Sequence, residues 1–152
     1  MNNRRALDRR GFYIIAVLCS FLILFSSLEA VLKVKDSQLF IEWHKDMYPN
    51  EAVNEDNFSI YLAGNVAEYT LKTAFPASIA ITAYFSIGKS KVFGAMSFIW
   101  LVLSGGGFAF HLLQRDFDSI FYYIGIILYT ILIVKAYVVA LNRTDNSSEG
   151  GD

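Results

Sequence analysis

The chain has 152 residues, 55% of them hydrophobic and only 18% charged, with a formal net charge of −1. A soluble domain usually carries about a quarter charged residues, so the composition excludes a disordered chain, and the way its apolar residues cluster points away from a soluble one. A single cysteine excludes an intramolecular disulfide framework, a cysteine-rich zinc site and a CxxC redox pair. Two histidines are too few for most metal-centred enzymes, and the near-zero charge gives no field to gather nucleic acid.

A helix needs about 20 mainly apolar residues to cross roughly 30 Å of hydrocarbon. Four stretches meet that need, at about 11–32, 59–87, 92–113 and 119–141. The first is uncharged until Glu29, and the second is interrupted by Glu68 and Lys72. The third holds no charge beyond what His111 can carry, and the fourth holds only Lys135. The expected fold is an all-α integral membrane protein, an antiparallel bundle of four transmembrane helices. A basic N-terminus (1–10) precedes this domain (11–141), and a polar, disordered cytoplasmic tail (142–152) follows it. Barrel strands alternate apolar and polar residues, whereas the run from Gly11 to Phe25 is apolar on every face. No internal repeat suggests an inverted-repeat transporter.

Basic residues set orientation. Arg4, Arg5, Arg9, Arg10, Lys89, Lys91 and Arg143 fall on one side, against Lys33, Lys35, Lys45 and Arg115 among many acids on the other. Both termini are therefore expected in the cytoplasm, in a plasma or inner membrane. A cleavable signal peptide needs a shorter apolar core and small residues before the cut, but here the core leads into Leu28, Glu29 and Ala30. Arg9-Arg10-Gly11-Phe12 has the look of a twin-arginine export signal. Three more spans follow it, so an uncleaved anchor is expected and these arginines read as topology determinants.

The one substantial loop, 34–58, has room for a short outer amphipathic helix over Asp36–Tyr48. Its apolar stripe is expected to be Leu39, Phe40, Trp43 and Met47, within about 100° of one another. Pro49-Asn50 ends it, and Asp56 or Asn57 is placed to cap the second span. Asn57-Phe58-Ser59 fits the glycosylation pattern but adjoins the expected membrane boundary. Gly88-Lys89-Ser90-Lys91 is a tight connection that forces the second and third helices into a hairpin.

Ionisable residues inside a bilayer cost about 2.5–3.5 kcal/mol each at mid-helix, so a sequence keeps them for pairing, a cavity or a function. Glu68 and Lys72 are four apart with the acid first, the favourable order for a helical ion pair. Counting from Ser59 puts Lys72 about 20 Å in, near mid-bilayer. Pro76, one turn on, frees the carbonyl of Lys72. The third span carries Ser104, Gly105, Gly106 and Gly107, which suit close helix contact, a hinge or ligand access to backbone, and then His111. Asn65 with Glu68, Glu29 above Ser26 and Ser27, and Tyr122 with Tyr123 all fall in the outer halves of their helices. A water-accessible pocket opening outward is expected, although Glu29 and His111 taken singly read as interfacial residues. Lys135 reads as a snorkelling lysine. The row Ala74, Ser78, Thr82, Ser86, with Gly94 and Ser97, reads as a packing seam.

No GxSxG surrounds a serine, and no phosphate loop or facing histidine pair occurs. No catalytic residue, metal site or cofactor is expected, and an enzyme is not. The leading expectation is a small polytopic membrane protein acting by association with a membrane protein partner or with itself. The alternative is a small oligomeric solute or ion carrier. Its site would comprise Glu68, Lys72, Asn65, Ser104, Gly105, Gly106, Gly107, His111 and Glu29.

Overall fold

The computed structural model describes Leu7, residues 9–87 and residues 90–144. The arginines at 4 and 5, the Gly88-Lys89 connection and the tail beyond Thr144 lie outside the described residues. Within them the fold is all helical: α1 (Arg9–Lys35), α2 (Ser37–Met47), α3 (Glu55–Ser86), α4 (Ser90–Leu113) and α5 (Ile120–Thr144).

Among the described residues three helices are long and apolar enough to cross a membrane: α1, α4 over Ala95–Leu113, and α5 over Ile120–Val138. With 32 residues, α3 is the longest helix. Glu68, Lys72, Pro76 and several threonines and tyrosines keep its apolar content below theirs.

Hydroxyl groups on these helices turn inward to their own backbone. Ser20 and Ser27 donate to the carbonyls of Ala16 and Ile23 at 2.8 and 2.7 Å, and Thr70 and Thr130 bond back to Val66 and Ile126 in the same way. Such i−4 bonds satisfy these four hydroxyl protons in apolar surroundings. Helix α3 runs unbroken through Pro76, and α4 through its glycine run.

Asp36 caps α2, its carboxylate accepting from the amides of Gln38 and Leu39 at 2.9 and 3.4 Å. The helix matches the expected span, but of the expected stripe only Phe40 and Trp43 pack against α3. Phe40 and His44 are buried, whereas Leu39 and Met47 are exposed. What selects the face is an aromatic group shared with α3, where the Phe40 ring lies 5.2 Å from Phe58 and 5.4 Å from Tyr61 and Trp43 lies 5.3 Å from Tyr61. Large rings bury more area than Leu39 or Met47 would.

Asn54, not Asp56 or Asn57, caps α3, accepting from the Asn57 amide at 2.8 Å. Glu55 and Asp56 instead occupy the first turn, where the helix dipole favours acids. Asn57 is buried there, with its Nδ2 unpartnered, which removes it as a glycosylation acceptor.

Contacts step in opposite directions along neighbouring helices, so the neighbours are antiparallel. Between α1 and α3, Phe12 meets Tyr84 while Ser27 meets Tyr69. Trp100 of α4 donates to Thr82 of α3 at 2.9 Å, and further along Gln114 reaches Glu68. Helix α5 packs on α4 and on α1, so each long helix has two long neighbours. The seam residues Thr82 and Ser97 serve this internal packing, while Ala74 faces outward.

At the centre lie Ile15, Cys19, Leu22, Ile79, Trp100, Tyr129, Leu132 and Ala136. Glu29, Lys72, Ser104 and His111 are buried as well, while Val17, Phe21, Leu24, Ile81, Phe98, Val102, Ile127 and Val134 point outward. Polar groups inside and large apolar groups outside suit a lipid environment. Lys135 is exposed.

Candidate functional site

Two helical pairs with the acid first, Glu29–Lys33 on α1 and Glu68–Lys72 on α3, are laid side by side by the antiparallel packing. Each lysine therefore meets more than one acid. Lys72 Nζ lies 2.7 Å from both carboxylate oxygens of Glu29 and 2.8 Å from Glu68. Lys33 Nζ lies 2.9 Å from Glu29, 3.2 Å from Glu68 and 3.1 Å from Asp116 in the α4–α5 turn. Gln114 of the same turn donates to Glu68 Oε1 at 3.2 Å. The result is one continuous network of three carboxylates and two ammonium groups.

Exposure falls steeply along it. The Lys33, Glu68 and Asp116 side chains are 23%, 32% and 30% exposed, against 5% for Lys72 and 6% for Glu29. The network thus has an exposed end and a buried, dry end, and the apolar core begins beyond the dry end at Leu22 and Ile79. Tyr61 donates its hydroxyl to the Lys33 carbonyl at 3.0 Å, which ties the start of α3 to the end of α1, and within α3 Asn65 donates to the Tyr61 carbonyl at 2.9 Å.

His111 is buried beside this group. Its Nε2 lies 3.1 Å from the Tyr122 carbonyl, and its ring stacks on Tyr122 at 5.5 Å and 12°. Gly125 makes the room, since a Cβ there would overlap the imidazole. Gly107 does the same for Tyr129, whose Cε1 would lie 2.5 Å from an added Cβ. At Gly106 the nearest atom, on Phe75, would be 3.4 Å away, and at Gly105 there is open space. Of the glycine run, then, close approach requires only the last.

Two clefts, each with room for about one water, adjoin the dry end. Ser26, Glu29, Lys72, Gly107, His111 and Tyr129 line the first. Asn65, Glu68, Lys33 and Tyr69 line the second, together with Ser26, Glu29 and Lys72. Ser104, Gly105 and Gly106 line neither, and the Ser104 Oγ is buried without a hydrogen-bond partner.

Glu29 and His111, read singly as interfacial residues, are each 5% exposed within the protein. The depths assigned to Glu29 and Lys72, edge and mid-membrane, are incompatible with their direct contact. The count for Lys72 began too far out, because α3 starts at Glu55 and its first turns extend past the end of α1 to carry α2.

Lys33, Gln114 and Asp116 were missed as members of the group. The Glu29–Lys33 spacing was a readable signal, identical to that of Glu68–Lys72. Nothing local announces Gln114 or Asp116, which are brought in by the turn. Among the described residues no group of three or more His, Cys, Asp or Glu could hold a metal ion. Compared with protein-family models, curated proteins and solved structures, the chain shows no match.

Proposed function

We propose that the chain is a non-enzymatic, multi-pass membrane protein whose outward-facing polar pocket binds and carries a small cation. In this reading α1, α3, α4 and α5 all cross the bilayer as an antiparallel bundle, with both termini cytoplasmic and α2 on the outer face. Helix α3 qualifies in company although not alone: Lys72 is turned inward onto two carboxylates, and Ile60, Val66, Leu71, Ile81 and Phe85 face out.

The observation that carries the reading is the charge of the network. Glu29, Glu68 and Asp116 face Lys33 and Lys72, leaving one carboxylate in excess at a group with a wet entrance and a buried end. A proton or monovalent cation would balance it. Stability accounts for the group poorly, since a buried ion pair is often no better than an apolar core.

The test is flux into liposomes bearing the purified protein, read separately for H⁺, Na⁺ and K⁺, with native mass spectrometry on the same samples. Flux above empty liposomes, abolished by E68Q/K72M with the assembly mass unchanged, is the expected result. Absence of flux for all three ions overturns it.

The second reading is an accessory subunit or homo-oligomer acting by association. An exposed row of small residues on α3, Ala63, Ala67, Thr70 and Ala74, favours it, as does the open space beside Gly64. Loss of assembly mass in E68Q/K72M, without any ion flux in the parent, is its signature.

A further inference from the structure

A cleft the size of one water admits nothing larger unless something moves, and the element placed to move is the α4–α5 turn. It reaches the network through two positions flanking one residue, and these grip different helices, Gln114 on Glu68 of α3 at 3.2 Å and Asp116 on Lys33 of α1 at 3.1 Å. Arg115 between them has a φ of 49°, a left-handed conformation that an L side chain rarely adopts and that glycine would take freely. That backbone reversal is what lets both neighbours face the network. Arg115 itself is exposed, and so are Phe117, Asp118 and Ile120.

The strengths of the attachments differ in a useful way. Asp116, Lys33 and Glu68 are about one-quarter to one-third exposed, so their contacts can be exchanged for water at small cost. Glu29 and Lys72 are almost wholly buried and cannot be exchanged so cheaply. The far end of the turn is anchored, because Tyr122 stacks on His111 and its carbonyl takes the imidazole contact. The turn is thus fixed at α5, strained at Arg115 and weakly held at its tip.

We propose that the α4–α5 turn is a latch over the Glu29–Lys72 pair, closed by Asp116 on Lys33 and by Gln114 on Glu68, and that its release opens the buried pair to water. This concerns the same pocket as the proposed cation site and takes its purpose from that reading, while its mechanics stand on the contacts alone.

The experiment is thiol accessibility in membranes. In a C19A background, Ser26, which lines both clefts, becomes S26C and is reacted with a small, charged, membrane-impermeant methanethiosulfonate. With the parent turn, S26C reacts at least tenfold more slowly than a control cysteine, L39C, on the exposed face of α2. With Q114A/D116N the S26C rate rises at least tenfold, L39C is unchanged, and the single variants fall between. D116E, which keeps the charge and the reach, stays within twofold of the parent and shows that the loss is one of contact.

Three results overturn the latch: equal S26C rates with and without the two contacts, an S26C rate in the parent already matching L39C, or a parallel rise at L39C that reports general loosening. If the double variant does not fold, the same comparisons on D116N alone decide, with an expected rise of about threefold. Since labelling needs no bound cation, latch-dependent labelling without ion flux sinks the carrier reading and keeps the latch. Flux with latch-independent labelling does the reverse.

Discussion

The Lys72 ammonium faces the Glu29 carboxylate squarely, 2.7 Å from each of its oxygens, across a chain separation of 43 residues. Both side chains are nearly free of solvent, and each supplies much of the compensation for the other's lost hydration. Removing one partner leaves the other with a single, more exposed counter-charge, Lys33 for Glu29 or Glu68 for Lys72, in a buried site, which costs more than the pair itself contributes.

K72M is therefore expected to destabilise the protein by about 2–3 kcal/mol, below the roughly 3–5 kcal/mol of a wholly unpaired buried charge, because Lys33 still holds Glu29 at 2.9 Å. The double variant E29Q/K72M should regain part of that loss, because it also removes the half-compensated carboxylate. Denaturant unfolding in mixed micelles measures both. Equal stability of K72M and the parent would show that water reaches the pair.

Two glycines mark places where a methyl group does not fit. G125A is expected to cost about 1–3 kcal/mol by driving the His111 ring off its Tyr122 stack. Adding H111A should relieve the clash, so the double variant should be more stable than G125A alone. G105A, beside open space, should be neutral or slightly stabilising through helix propensity. Thermal unfolding of the four proteins orders them.

The hydrogen bond from Trp100 to Thr82 joins α4 to α3 at 2.9 Å. Interhelical hydrogen bonds in membrane proteins couple by about 0.6 kcal/mol on average. A double-mutant cycle of W100F and T82V should return a coupling of that order. A coupling near zero would mean that packing alone holds the two helices there.

Asp36 is the hinge between α1 and α2. D36A removes the acceptor for the Gln38 and Leu39 amides and should cost the helix start about 1 kcal/mol. Hydrogen exchange at those two amides should accelerate by roughly fivefold while the amides of α3 around Tyr61 keep their protection.

Much of the helical layout was legible because its signals are local. Asp36 is a capping residue ahead of a periodic apolar run, and the long apolar stretches leave little choice but helix. Spacing alone also gave the Glu68–Lys72 contact. What escaped was whatever depends on a second element. The face of α2 is chosen by Phe58 and Tyr61 on α3, not by its own stripe. The burial of Glu29 was not legible because its partner Lys72 lies 43 residues along the chain. Gln114 and Asp116 join the group only because Arg115 takes a left-handed backbone that its residue type does not announce. The reason for Gly107 and Gly125 lies in the rings opposite them, Tyr129 and His111.

Order of synthesis adds one consequence to the doubled lysines. A chain that emerges N-terminus first exposes Glu29 long before Lys72 has been translated. Lys33, one helical turn onward, is within reach as soon as α1 exists, and it still holds Glu29 at 2.9 Å in the finished fold. It can thus serve first as an escort that keeps the acid neutralised while α1 enters the bilayer. When α3 arrives, Lys72 joins Lys33 at the carboxylate, and Lys33 reaches on to Glu68 and to Asp116 of the last turn.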